Sequence, residues 1–178
     1  MDLETERLKL EPYHPSHYEG LRIMEGDPQI MRYISNGKVK TPDETWDGIN
    51  RVMQRWETYG FSWWAIREKM SGMVVGAACL QHLANVEGAP LEIGWRLIAD
   101  YHGNGYATEA ARAIIEFAAG HVGATYLVAV ADPKNSASQR VMQRLGMTFK
   151  AVEQHYDVPC VVYELQLHRG EQNNGQST

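Results

Sequence analysis

After Pro90 the chain passes from an alternating apolar run, LEIGWRLI, through a turn with two glycines one residue apart, DYHGNG, into the alanine-rich segment YATEAARAIIEF. It leaves that region through ATYLVAVAD, a run that is apolar at nearly every position. In the alanine-rich segment Tyr106, Ala110, Ala113, Ile114 and Phe117 recur at helical spacing, a stripe that ends near Gly120. A strand apolar on both faces needs cover above and below, so ATYLVAVAD belongs inside a sheet, not at its edge. This stretch alone demands layered helix and sheet with a glycine turn at one strand-to-helix corner.

The flanking segments extend the pattern. LETERLKLEP alternates at Leu8 and Leu10 and predicts a strand closed by Pro12. Residues 16–24 carry Tyr18, Leu21 and Met24 on one helical face, and residues 42–59 carry Trp46, Ile49, Met53 and Trp56 at spacings of three and four. Thr41 is placed to cap the second helix, with Pro42 at its first position and Asp43 and Glu44 complementing its positive end. FSWWAIREKMSGMVVGAACLQHL predicts two strands joined at Ser71 and Gly72. In LEIGWRLI, Leu91, Ile93, Trp95 and Leu97 share one face, Glu92, Arg96 and Ile98 the other, and Gly94 marks a candidate bulge. Asn135 caps a short helix to Leu145, closed by Gly146, and MTFKAVEQHYD with PCVVYELQL predicts a final antiparallel pair.

The expected class is α+β: a single mixed, mostly antiparallel sheet in one domain over residues 1–168. The polar tail, residues 169–178, is expected to be disordered. A chain of 178 residues is long enough for one real core and too short for two ordinary enzymatic domains. Its net charge of −5 argues against a nucleic-acid surface and suits a partner bearing a cationic amine. No apolar run approaches the ~20 residues of a membrane span, and MDLETERLKL does not read as a signal peptide, so a cytoplasmic protein is expected. Cys79 and Cys160 both sit in apolar runs and read as buried packing. His14 and His17 have metal-compatible spacing without a third ligand and read as surface residues; no metal is expected.

A strand, a glycine turn and a helix make an anion site, because the first amides of a helix lack internal partners and glycine admits a phosphate to the backbone. A dinucleotide fingerprint would place a third glycine at Thr108, and a phosphate-binding Walker loop would need a Gly-Lys-Ser or Gly-Lys-Thr triplet that the chain does not contain. A plain turn is the competing account of Gly103 and Gly105. HGNGYATEA, followed about thirty residues later by DPKNSASQRVMQRLGM, resembles the two cofactor motifs of the GNAT superfamily of N-acetyltransferases, in the branch that includes the N-terminal acetylases of ribosomal proteins. The resemblance runs over residues 2–168.

That resemblance implies a sheet with a central splayed parallel pair and about four helices, and acetyl-CoA as cosubstrate without a metal. It implies that Leu97 and Ile98 offer backbone groups to the pantetheine arm. The pyrophosphate would meet the amides of His102, Gly103, Asn104, Gly105, Tyr106 and Ala107, with Thr108 adding a hydroxyl. The family's loop commonly begins with Gln or Arg where this chain has Asp100, so a bound pyrophosphate requires that carboxylate to turn away. Asn135 would hold the pantetheine or orient a water, beside its reading as a helix cap. Ser138 would donate a proton to the leaving sulfur, beside its reading as a surface serine; a thiol of pKa about 8.5 needs little help.

Glu92, a carboxylate in an otherwise apolar strand, is the candidate general base, since burial raises its pKa toward the useful range. An ordinary ion pair with Arg96 is the alternative, and a water chain would serve in place of any single base. Trp46, Trp56, Trp63 and Trp64 read as core, with some edging an acceptor groove. The acceptor is expected to be a primary amine, on a protein N-terminus or a small molecule. The resemblance also makes a homodimer through the last strands an expected assembly. A CoA-binding module without turnover and a nucleotide-dependent oxidoreductase are the competing functions.

Overall fold

Leu91, Ile93 and Leu97 face one helical layer while Glu92 and Arg96 face the other, so a single strand separates apolar core from polar cavity. The computed structural model describes residues 1–34 and 37–167, and the predicted tail lies outside them. The chain forms β1 (Leu3–Glu4), β2 (Leu8–Pro12), α1 (Tyr18–Glu25), α2 (Pro28–Met31), α3 (Pro42–Tyr59), β3 (Trp63–Glu68) and β4 (Val74–His82). It continues through β5 (Leu91–Leu97), α4 (Tyr106–Phe117), β6 (Tyr126–Ala131), α5 (Ser136–Arg144), β7 (Thr148–His155) and β8 (Val158–Gln166).

One eight-stranded sheet runs in the order β1-β2-β3-β4-β5-β6-β8-β7. Every neighbouring pair is antiparallel except β5 and β6. Those two are registered only at Leu91 with Leu127 and Glu92 with Val128, after which they diverge. The mixed sheet and its splayed parallel pair are as expected; the α-helices number five among the described residues, where about four were expected.

Helix α4 covers one face over Leu8, Ile66, Leu80, Ile93, Leu97, Ile114 and Leu127, all buried. Helices α1 and α3 cover the other face over Leu21, Met24, Ile49, Val52, Ala65 and Ala77. Each fully buried Leu or Ile contributes roughly 2 kcal/mol by leaving water. A one-residue slip of β5 would exchange Ile93 and Leu97 for Glu92 and Arg96 under α4, which fixes its register.

Helix α3 matches its predicted bounds and has the full capping box: the Glu44 amide donates to Thr41 Oγ1 (3.2 Å), and Glu44 Oε2 accepts from the Thr41 amide (2.7 Å). Four local expectations are corrected. The opening strand is two strands, because Thr5 closes a turn in which the Leu8 amide donates to its hydroxyl (3.0 Å). Gly94 is not a bulge: β4 and β5 pair without interruption, and the irregularity lies between Ile66 and Arg67. A Cβ at Gly94 would stand 3.1 Å from Cys79 Sγ, so the glycine serves close packing. Helix α2 has only four residues, too few to show periodicity. Helix α4 ends at Phe117, three residues short of Gly120, and a wider helical turn, Ala118–Val122, follows it.

Candidate active site

At the glycine turn, Gly103 and Gly105 both have φ of +79°, a left-handed conformation that glycine adopts without steric penalty. Gly105 caps α4 and has no side chain to close the helix end. The helix ladder begins with the Glu109 amide donating to the Gly105 carbonyl (3.0 Å), which leaves the amides of Tyr106, Ala107 and Thr108 without intrahelical acceptors. The positive end of α4 is thus open to an anion.

Arg7 holds this loop from behind. Its Nη1 donates to the Asn104 carbonyl (3.0 Å), and its Nε and Nη2 meet Glu109 Oε2 at 2.7 and 2.6 Å. Its guanidinium also lies over the Tyr106 ring, 4.6 Å from the centroid. Burial pushes the Glu109 carboxyl upward, but hydrogen bonds from Thr5 and Arg7 outweigh it and hold the group below the usual carboxylate range. The His102 amide is bonded to the Ala99 carbonyl (3.0 Å) and its ring Nε2 lies 3.0 Å from the Leu97 carbonyl oxygen. Asp100 is exposed and Thr108 is buried.

Backbone direction along β5 follows from one bond. The Ile98 amide donates to the Val75 carbonyl (2.9 Å), so Ile98 faces β4. Strand alternation then turns the N–H and C=O groups of Trp95 and Leu97 toward the edge where β6 has diverged. Of the two sequence candidates for the pantetheine arm, Leu97 faces the splay, and Trp95 joins it there.

A cavity of about 490 Å³ occupies this region. Residues 93–96 and 130–132 border it from the diverging strands, with Asn135, Ser138 and Met142 from α5 and Arg51, Val52 and Arg55 from α3. Glu92 is only 6% exposed and lines it. Its carboxylate accepts hydrogen bonds from the Tyr156 hydroxyl and from Gln81 Nε2 (3.3 Å). Burial raises its pKa against the opposing pull of those bonds, the direction a general base requires.

Arg96 does not pair with Glu92. Its Nη2 donates to Glu25 Oε1 (3.0 Å) and lies 3.4 Å from the Tyr13 hydroxyl, while its guanidinium covers the Trp63 ring at 4.6 Å. Asn135 Oδ1 accepts from the Ser138 amide (3.1 Å), so the capping role is present. The Ser138 side chain lines the cavity, and no hydrogen bond to its hydroxyl is formed among the described residues. Glu92 on β5 therefore shares one cavity with Asn135 and Ser138 at the start of α5, 43 or more positions later in the chain.

Trp63 and Trp95 line the cavity, whereas Trp64 is fully buried and Trp46 is 39% exposed, stacked on Tyr18. Cys79 and Cys160 are buried as expected, and burial raises both thiol pKa values. His17 is not a surface residue: it is 3% exposed and its Nε2 lies 3.2 Å from Glu11 Oε2. Among the described residues no three His, Cys, Asp or Glu side chains gather as a metal site, and no helix is long and apolar enough to cross a membrane.

Tyr156 is the residue that sequence reasoning missed. It sits in the β7–β8 turn with φ of +54°, beside Asp157 at +63°. Its hydroxyl donates to Glu92 and accepts from Gln81 Nε2 (2.9 Å) and the Ala84 amide (3.2 Å). Burial, then the neighbouring Glu92 charge, pushes the phenol pKa upward, so the group stays a proton-bearing donor. The sequence signal was the two-residue turn itself, which places both residues in the left-handed region without a glycine to advertise it.

Residues 7–148 match the acetyltransferase (GNAT) domain family, and the chain belongs to that family. It is an acetyltransferase, in a family whose general reaction is acetyl-CoA-dependent acetyl transfer. It is 30% identical over 142 residues to YkkB of Bacillus subtilis, covering 80% of this chain and 81% of that one. It is 28% identical over 165 residues to an FsC-acetyl coenzyme A-N(2)-transacetylase of Aspergillus fumigatus, covering 88% and 69%. The fold superposes with a TM-score of 0.80 on RimL, a ribosomal L7/L12 α-N-protein acetyltransferase solved with coenzyme A, at 15% identity over 95% of this chain and 99% of that one.

Proposed function

We propose that the protein transfers an acetyl group from acetyl-CoA directly to a primary amine in a ternary complex, and that it belongs to the branch containing the ribosomal-protein N-terminal acetylases. The observation that carries this reading is the placement of Glu92 and Ser138 on one cavity at the β5–β6 splay, with the uncapped N-terminus of α4 following β5 in the chain. The branch assignment rests on the Asn135 to Ser138 spacing and on the shared fold with RimL.

The residues present fit the cosubstrate: the amides of residues 103–107 and the Thr108 hydroxyl for the pyrophosphate, without the expected His102 amide because it is bonded to the Ala99 carbonyl, and the Leu97 and Trp95 backbone for the pantetheine arm. Acetyl-CoA supplies an acetyl carbonyl on a good leaving thiol. Glu92 accepts a proton from the acceptor ammonium, directly or through one water, freeing the nitrogen lone pair. As the N–C bond forms and the C–S bond breaks, Ser138 gives its hydroxyl proton to the departing sulfur, and the proton that the new amide nitrogen sheds returns to the Ser138 oxygen, so the net products are the amide, the free thiol and the one proton held by Glu92. Asn135 holds the α5 terminus, and with it Ser138, in place. No step calls on a metal.

A thiol-release assay with acetyl-CoA and a panel of peptides, amino acids, polyamines and aminoglycosides tests the reading. Release that depends on an amine supports it; binding of acetyl-CoA without release for any amine would return the chain to a CoA-binding module.

A further inference from the structure

The chain is acidic overall, but its acceptor cavity is not. Five cationic side chains line it against three carboxylates, on a protein whose net charge is −5. The carboxylates are largely engaged. Glu25 is 2% exposed and meets both Lys40 Nζ (2.6 Å) and Arg96 Nη2 (3.0 Å). Glu92 is hydrogen-bonded by Tyr156 and Gln81. Asp132 accepts from the Lys134 amide within its own loop (2.7 Å).

Of the three other cations, Arg32 lies over the Tyr33 ring, 4.4 Å from its centroid, which leaves Arg51 and Arg55. They stand four residues apart on α3, hence on one face of the helix, and neither forms a hydrogen bond or ion pair among the described residues. Like charges at this spacing repel, so the pair weakens the helix unless an anion lies between them. Both also border a second cavity of about 310 Å³ that shares Gln81 and Asn85 with the first, so they mark the junction of the two. Also lining the first cavity, from β5, Arg96 has a buried Nε donor without an acceptor, on a side chain 9% exposed. Arginine is suited to this role because its planar fork matches a carboxylate or a phosphate.

We infer that the acceptor amine carries an anionic group, a carboxylate or a phosphate, which Arg51 and Arg55 bind at the α3 side of the cavity while the amine points toward Glu92. The inference rests on the acetyl-transfer reading and adds the substrate class to it. It is compatible with a net charge that suits a cationic amine, because the local surplus of arginine at the cavity acts on the rest of the acceptor and charges beyond about 8–10 Å are screened at physiological salt.

The test is thiol release with matched amine pairs. One pair is an amino acid and its carboxamide, a second is phosphoethanolamine and ethanolamine, and a third is a short peptide with acidic or neutral residues behind its free N-terminus. The expected result is at least a tenfold higher kcat/KM for the anionic member of a pair, carried by KM, and a preference that shrinks as ionic strength rises. The pair showing the largest effect tells carboxylate from phosphate. In the R51E/R55E double variant KM for that acceptor should rise ten- to hundredfold with the acetyl-CoA Kd unchanged, and R55K should recover part of the loss. R51Q and R55Q, milder changes at an exposed and a half-buried position, should each give a smaller rise. Equal or better turnover of the neutral members, or an unchanged preference in the double variant at unchanged acetyl-CoA affinity, overturns the inference while leaving acetyl transfer intact. Silence with every amine while acetyl-CoA is bound removes the acetyl-transfer reading and the inference with it.

Discussion

The Tyr156 hydroxyl donates a hydrogen bond to the Glu92 carboxylate, tying the last hairpin turn to the strand that borders the acceptor cavity, 64 positions away in sequence. The same hydroxyl accepts from Gln81 and Ala84, so one phenol links β4, β5 and the β7–β8 turn. Its hydrogen bond favours the ionised form of Glu92, against the burial that favours the neutral one. The balance between the two sets the pH at which Glu92 takes up a proton.

Replacing Tyr156 with Phe removes that donor while keeping the ring. A hydrogen bond to a charged group favours the ionised form, so without it burial acts with less opposition and the Glu92 pKa should climb further. The rising limb of the kcat/KM against pH profile should move up accordingly, with acetyl-CoA affinity unchanged. A profile that keeps its position would remove Tyr156 as the residue that positions and tunes Glu92.

Glu92→Gln should separate activity from stability. Because the folded-state pKa of Glu92 is raised, the unfolded chain loses this proton first as pH rises, and folding stability falls between the ordinary carboxylate value near 4.5 and the raised folded value. Above that window the wild type carries the full penalty of a buried charge; below it there is none. Glutamine can accept from Tyr156 and Gln81 without a charge. The variant should therefore unfold at a higher temperature than wild type at pH 8, with no advantage at pH 4, while turnover drops about a hundredfold. Thermal melts at the two pH values and steady-state rates check both halves.

The register of β5 was legible because its alternation is strict: Ile93 and Leu97 must meet α4, and the turn after them needs left-handed residues that only glycine takes freely. The Thr41 cap was legible for the same reason, since its chemistry is local. What binds Arg96 was not. Its spacing from Glu92 pointed to an ion pair on one strand face, but Glu25 reaches it from α1, a contact between residues 71 positions apart. Tyr156 was hidden likewise, by a turn without glycine and by three partners distant in sequence. Local chemistry is written in sequence; the partner of a buried charge is decided by which elements pack.

Arg7 offers a test of the loop that does not touch the acceptor. It holds the Asn104 carbonyl and the Glu109 carboxylate, and so fixes the turn from the side opposite the open helix end. Arg7→Ala should raise the Kd for acetyl-CoA about tenfold, equivalent to about 1.4 kcal/mol, with kcat little changed at saturating cosubstrate. A titration of acetyl-CoA against wild type and variant measures it; an equal Kd would mean that the loop keeps its shape without this clamp.

Ser138 faces the cavity with its amide engaged by Asn135 and its hydroxyl without a partner among the described residues. A hydroxyl in that position either delivers a proton to the leaving sulfur or merely fills space, and the leaving group distinguishes the two. A thiol of pKa about 8.5 gains modestly from protonation at neutral pH, so Ser138→Ala should lower kcat about tenfold with natural acetyl-CoA. An acetyl donor with a more acidic thiol needs no donor, so with it the variant should approach the wild-type rate. If the deficit instead persists across donors, Ser138 acts through the shape of the cavity and not through its proton. The same comparison in Asn135→Ala, which loosens the α5 cap, should lower rates with both donors, because it displaces Ser138 without changing the sulfur's need for a proton.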